Sequence, residues 1–534
     1  MTEALLVTLC CCGGLALFAL AAGQDFNWDQ RNYHLWAPFT LLSGDEDRHL
    51  AAASLQSWFN PLIHFPFYFS VTRMPPREAG ALLGALAGLN GLLLWALARS
   101  LTRAWPRPAA RLGTLAATLA GITGPVFLSE AGTSFVDNLT SLLTLAALLA
   151  LVTALARETE PQAGDAGRRL WLTAGGLIGL AVGFKLTNVV FALGLLAALL
   201  ATSRSFGDCR QRLGRFLPAA LLGGALSGGW WMLHLFGRTG NPVFPLYNAV
   251  FHSPWFPEIN FLDLRFLSKS PANALTYPFK WALGIYPVST EGAFRDLRFL
   301  LVFLLLGMVL AVSACDRLSA GPDEPCRAPP RTGAAILWFL VFSFLPWIFL
   351  FGIHRYIVPL ELICGVAVLV CLQRLDLAPN RQAALLLAFA GAGIAWQHSP
   401  EWGRLPWAER WVALRVEPDL SFEHTLLVLA GPGSHPMAYV LPHLPESATS
   451  VRLVGLDLSP AMERRMLAQI RTHDGPVRTL SGGPIDRAAL AERGLTVSDE
   501  GCVRLETRFE SLESCPVTVS RPAPPTPPAP RAPG

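Results

Sequence analysis

The chain has 534 residues, of which 52% are apolar or aromatic and only 15% are charged, where a soluble domain carries roughly 25%. Its mean hydropathy is +0.40 and its net charge +4. That balance excludes a soluble enzyme, a disordered chain and a nucleic-acid binder, and points to an α-helical polytopic membrane protein. Of the 42 basic residues three are lysines, Lys185, Lys269 and Lys280, a bias in keeping with GC-rich codons and a bacterial inner membrane.

A membrane span needs about 20 mostly apolar residues. Eleven stretches qualify: 4–22, 79–98, 112–128, 138–156, 170–187, 188–203, 216–236, 298–314, 333–352, 356–373 and 382–398. The first resembles a signal peptide, but Met1-Thr2-Glu3 lacks the positive start, so it reads as a retained span. The two stretches between 170 and 203 leave room only for a tight turn at Lys185.

Orientation follows from Arg and Lys in the short connections. One set holds Arg99, Arg103, Arg107, Arg111, Arg157, Arg168, Arg169, Arg204, Arg210, Arg212, Arg215, Arg317, Arg327, Arg331, Arg374 and Arg381. The other holds Lys185 and Arg355. This predicts the N-terminus inside and the C-terminus outside.

Two external loops, 24–78 and 237–297, are rich in aromatics and proline and belong to a membrane domain covering 1–398. Within 399–518, β-like runs at 425–430, 450–456 and 477–480 alternate with helical ones at 437–441, 460–472 and 486–493. They predict a small extracytoplasmic α/β domain. Residues 519–534 form a Pro-rich tail with nothing to bury, expected to be disordered. Cys502 and Cys515 are the two cysteines of the external domain and suit a disulfide.

The candidate chemistry lies at the external turns. In the first loop, Asp25 and Asp29 precede Tyr33 and His34, and Trp28, Leu35, Phe39 and Leu42 share one face of an expected interfacial helix. Asp29 is either a general base or a helix cap. The turn between spans three and four holds Glu130 and Asp137 and no basic residue, which suits a helix start as well as a site.

Where span nine gives way to span ten stands His354-Arg355-Tyr356-Ile-Val-Pro359. Arg355 can snorkel to headgroups or grip a phosphate, and Lys185 lies at the same level. Pro359 is expected to loosen span ten. Asn241 sits in a Pro-rich loop whose amides suit sugar hydroxyls, and Arg295 closes that loop. Asp45-Glu46-Asp47 reads as a helix cap and Gly431-Pro-Gly433 as an ordinary turn. No metal-ligand spacing such as CxxC or HExxH occurs.

Taken in order, the short first span followed by Asp29-x-x-x-Tyr33, the acidic turn Glu130–Asp137 and the late Arg355-Tyr356-x-x-Pro359 resemble the GT-C membrane glycosyltransferases. That group includes protein O-mannosyltransferases and aminoarabinose transferases of lipid A. The resemblance covers about residues 1–398. It implies transfer of a sugar from a polyprenyl-phosphate donor to a lipid, glycan or protein hydroxyl at the outer face of the bilayer, with inversion. It also implies Asp29 (or Asp25) as base, with Asp137 a weaker catalytic candidate. Arg355 and Lys185 would hold the donor phosphate, and Tyr33, His34, Glu130, Asn241, Tyr356, His354 and Arg295 would line the substrate. No cofactor is required, though carboxylates alone would also admit a divalent metal. An O-antigen polymerase or ligase and a lipid-linked glycan transporter are the alternative readings.

Overall fold

The computed structural model describes residues 2–158, 164–319, 330–375, 377–416 and 421–520. The expected Pro-rich tail falls almost wholly outside the described residues. Two compact units divide the chain. One comprises 1–27, 60–234 and 261–409, the other 28–59, 235–260 and 410–534. The boundary expected at 398/399 is therefore not where the chain divides. Parts of both long loops belong to the unit that holds the C-terminal α/β region, the first through strand pairing at His49–Leu50 and the second through Trp255, which packs on that core, and Pro254 O, which accepts from Ser459 Oγ.

Every expected span is mainly helical. The helices are α1 Thr2–Ala22, α2 Pro76–Leu101, α3 Arg107–Ile122, α4 Pro125–Glu130, α5 Asp137–Arg157, α6 Gly164–Phe184 and α7 Val189–Ala201. They continue with α8 Phe206–Thr239, α9 Arg298–Ser319, α10 Arg331–Leu350, α11 Val358–Leu372 and α12 Pro379–Trp396. Among the described residues seven of these are long and apolar enough to cross a membrane: α1, α2, α5, α8, α9, α10 and the stretch His354–Leu372.

Small residues set the closest helix contacts. A Cβ at Gly84 or Gly88 of α2 would stand 2.5 Å from Leu15 O or Cys12 Cα of α1. One at Gly179 of α6 would stand 2.0 Å from Ala220 O of α8. Apolar burial does not drive helices together in lipid, so such close backbone approach supplies the attraction.

Two expectations about local structure are corrected here. The span expected at 112–128 is broken, since Gly124 is extended (ψ 137) ahead of Pro125, and proline pushes its predecessor out of the helical region. Pro359 does not loosen span ten. It lies in the first turn of α11, where its missing N–H leaves no bond unmade. The tight turn at Lys185 is present, with Lys185 extended between α6 and the short helix Leu186–Asn188. Helix α11 is buried along all of Val358–Leu372, so it runs through the interior of this unit.

The second unit is built on a parallel sheet of four strands, β1 His49–Leu50, β2 Leu426–Leu429, β3 Thr449–Arg452 and β4 Val477–Leu480, in the order β1-β3-β2-β4. Its core joins Leu426, Val428 and Val451 to Met462, Met466 and Ile470 of the helix Pro460–Arg471. Those three residues recur every four positions, which lays them along one helix face. Ser459 caps that helix by accepting from Met462 N–H. The hairpin Val503–Glu506/Ser511–Ser514 is flanked by the expected disulfide Cys502–Cys515.

Candidate active site

In the first unit three turns bring charged side chains together. Asp137 opens α5, Lys185 sits in the α6–α7 turn, and Arg355 and Tyr356 lie in the single turn His354–Ile357 ahead of α11. Lys185 Nζ donates to Asp137 Oδ1 at 2.5 Å. The same ammonium stands 4.4 Å from the centre of the Tyr356 ring, and the Arg355 guanidinium 5.2 Å from it. Arg355 also stacks over Phe135 at 4.8 Å. One aromatic ring thus lies within cation–π distance of two cations.

Glu130, at the end of α4, is 1% exposed, and neither of its carboxylate oxygens has a hydrogen-bond partner. Burial pushes its carboxyl well above the usual range, and the charge of Asp137 adds to this, while Arg355 and Lys185 oppose it. The second oxygen of Asp137, Oδ2, is likewise buried without a partner. Glu130, Asp137, Lys185, Arg355 and Tyr356, all read from sequence, therefore meet in one polar patch walled by Phe135.

Asp25 belongs to the same unit but is fully engaged. Its Oδ2 accepts from Ser134 N–H at 2.8 Å, and both oxygens accept from Asn27. Burial raises its pKa, and Arg404 with the Ser134 N–H draws it back. Arg404 donates to the carbonyls of Gly23, Ser129 and Ala131, at 3.1, 3.1 and 2.8 Å. Trp402 donates to Ser129 Oγ at 2.8 Å and packs edge-on against Phe135. Arg404 and Trp402 were assigned to the α/β domain by sequence reasoning. The signal that marks them is Trp402, Trp407 and Trp411 within ten residues, unusual density for a soluble surface.

His354 does not join the patch. Its ring is boxed by Trp281, Phe294 and Phe299, with centroids at 4.5, 4.6 and 5.3 Å. Arg295 lies away from it too, stacked on Trp396 and donating to that residue's carbonyl at 2.8 Å.

The remaining candidates belong to the second unit. Asp29 is 7% exposed and stands at the N-cap position with helical backbone angles (φ −65, ψ −38), and its side chain makes no capping bond. It precedes the wide turn Gln30–His34, in which Tyr33 packs edge-on against Phe59 at 5.8 Å and against His34 at 4.3 Å. The expected interfacial helix is instead buried on nearly every side from Asn32 to Pro38, with Leu42 exposed. Arg31 pairs with Glu510 at 3.1 Å, and Glu510 also meets His435 at 2.6 Å and Tyr439 at 3.1 Å. Asn241 braces its own loop, donating to Leu246 O and accepting from Val243 N–H.

No protein-family model matches the chain, and no curated protein matches it by sequence. Among solved structures it is similar to ArnT from Cupriavidus metallidurans in the apo state, with a TM-score of 0.55 and 14% identity over 96% of this chain and 98% of that one. The same protein bound to undecaprenyl phosphate gives a TM-score of 0.51 and 13% identity over 96% and 97%.

The chain shares the fold of that protein.

With that fold and seven helices among the described residues long and apolar enough to cross a bilayer, the chain is an integral membrane protein. Its patch of two cations around one ring suits an anion. A divalent metal fits it poorly, since Asp137 is already held by Lys185. Among the described residues the one group of three close metal-ligand types is Cys502, Glu513 and Cys515, whose cysteines are joined to each other.

Proposed function

We propose that this protein is a glycosyltransferase that moves a sugar from a polyprenyl-phosphate donor to an acceptor hydroxyl at the outer face of the membrane, with inversion. The observation that carries the proposal is the pair of cations, Lys185 and Arg355, held around Tyr356 beside two buried carboxylates. Fixed cations stabilise the charge that develops on a departing phosphate without reorganising during the step. Arg355 offers the bidentate grip, and Lys185 a point charge.

Glu130, whose carboxyl burial pushes well above the usual range, would in its protonated form donate a hydrogen bond to a donor oxygen. Tyr356 sets the spacing of the cations. Asp29 is the proposed base that takes the acceptor proton while the oxygen attacks the anomeric carbon, a choice supported over Asp25 by the hydrogen bonds that tie Asp25 to Asn27 and Ser134. The glycosidic bond to phosphate breaks, and the lipid phosphate leaves with the electron pair. No metal is used in this scheme, and no role is assigned to His354, Arg295 or Asn241.

A polymerase or ligase would need free basic residues in the late loop. There Arg265 is paired with Asp263 at 2.6 Å, and Lys280 donates to Asn273 at 2.8 Å. The transferase reading is tested with purified protein in lipid nanodiscs and a panel of labelled polyprenyl-phosphate sugars, scoring release of lipid phosphate. Turnover of one donor, lost in Asp29→Asn while the donor still binds, is the expected result. Binding without turnover across the panel, unchanged by Asp29→Asn, would overturn it in favour of a transporter.

A further inference from the structure

The break between α3 and α4 leaves helix-end backbone groups among largely buried residues, where an unmade hydrogen bond is costly. Buried side chains close it from both sides. Arg298, on α9, donates from Nε to Ala120 O at 2.9 Å and from NH2 to Thr123 O at 2.7 Å, covering the end of α3. Its remaining nitrogen pairs with Asp296 at 2.9 Å, and both side chains are fully buried. Glu361, on α11, accepts from Val126 N–H and Phe127 N–H at 3.2 and 2.8 Å, covering the start of α4. Gly124 makes room for it, since a Cβ there would stand 2.4 Å from Glu361 Cδ.

The far end of α4 is tied as firmly, by Arg404 to Ser129 O and Ala131 O. Asn138 Nδ2 donates to Phe127 O at 3.1 Å and joins α4 to α5. Helix α4 is thus a six-residue strut whose last residue is Glu130. Glu361 follows Arg355 by six positions in the continuous stretch His354–Leu372. The side chain that holds the strut and the cation across from Glu130 therefore ride on one rigid segment.

We propose that Glu361 and Arg298 are positioning residues, which close the helix break at 123–124 and so fix the placement of Glu130 relative to Arg355. The assignment rests on the transferase reading for its effect on turnover, but not for its structural part. An intramembrane carboxylate ordinarily invites a transport role. Here its two oxygens are occupied by backbone donors.

The test pairs hydrogen exchange with kinetics in nanodiscs. In the wild type, the amides of Val126 and Phe127 should be as protected as those of α11, although a helix start offers them no carbonyl one turn back. Glu361→Gln keeps the shape but loses one good acceptor. It should speed exchange in 125–130 and leave α11 unchanged. On the expectation that small misplacements cost about 10²-fold, kcat should fall on that order while the donor KM stays within about threefold. Thr123→Val, which removes a hydroxyl accepting from Arg298 at 3.0 Å, should give a smaller effect of the same sign and stands in if Glu361→Gln does not fold.

Unchanged exchange in 125–130 would overturn the proposal, as would a loss of protection spread over the whole unit with activity falling only as the folded fraction falls. A wild type without turnover would sink the transferase reading alone, and the exchange pattern would still decide the clamp.

Discussion

Asp25 and Arg404 face each other across a two-residue antiparallel ladder, Gln24–Asp25 against Arg404–Leu405, and each is occupied in holding the turn that follows Glu130. Asp25 takes Ser134 N–H, and Arg404 takes the carbonyls at the end of α4. A chain segment almost four hundred residues downstream thereby becomes part of the frame around the acidic turn.

The two carboxylates of the first loop should separate cleanly on mutation. Asp25→Asn weakens a buried acceptor and faces Arg404 without a charge. It should lower the melting temperature, with a cost on the order of 1–3 kcal/mol. Asp29→Asn should reduce turnover by about 10²–10⁴-fold, more than any accompanying loss of folded protein accounts for. Thermal unfolding and lipid-phosphate release, measured on both variants, check this pair.

Arg355→Gln should weaken donor binding with little change in fold. Hydrogen bonds to charged groups are worth about 1.5–3 kcal/mol, which is roughly a 10–100-fold rise in KM. Lys185→Met should cost stability as well, because it strands Asp137, 4% exposed, with no counter-charge. The double variant Lys185→Met/Asp137→Asn should regain part of that stability but not donor affinity, a result that titration of a labelled lipid phosphate would read.

Glu130 should make stability fall as pH rises. Its carboxyl lies above the usual value of 4.5 when folded, so above that value the native state holds a proton that the unfolded chain releases. Stability is then fully present below the unfolded value and declines through the range up to the folded one. Glu130→Gln has no proton to lose and should flatten this dependence. It should match wild type near pH 4 and melt higher than wild type at alkaline pH. A series of melting curves against pH decides it.

Cys502 and Cys515 close a loop of 13 residues. Replacing both with serine should lower the stability of the C-terminal hairpin by about 2–4 kcal/mol, and reduction of the wild type should match it. Limited proteolysis near 498–516, with and without reductant, measures the effect.

Much of the fold was legible because hydropathy and period are local properties. Each of the eleven apolar stretches is mainly helical, the one at 112–128 in two pieces, and the strand expected at 477–480 is β4, Val477–Leu480. The acidic turn and the late Arg-Tyr pair were legible as candidates because charge at a membrane edge is conspicuous. Pairings across long separations were not. Nothing in Arg48-His49-Leu50 announces that it adds to a sheet with Ser450 and Val451. Nothing in Glu361 says which backbone donors it will meet 235 residues away. His354 was misplaced for a related reason. Its neighbour Arg355 turns toward the patch, and its own ring is enclosed by aromatics from three other segments.

Strand β1 has a consequence for biosynthesis. His49 and its partner Ser450 are separated by 401 positions, so one edge of the sheet is made long before its neighbour exists. At about 5–20 residues per second, the first loop waits some 20–80 s with its strand unpaired. For most of that interval the ribosome is still delivering the helices up to Trp396. A nascent chain arrested before residue 449 should therefore carry a first loop open to protease, and release of the arrest should close it within the time needed to make the last strands.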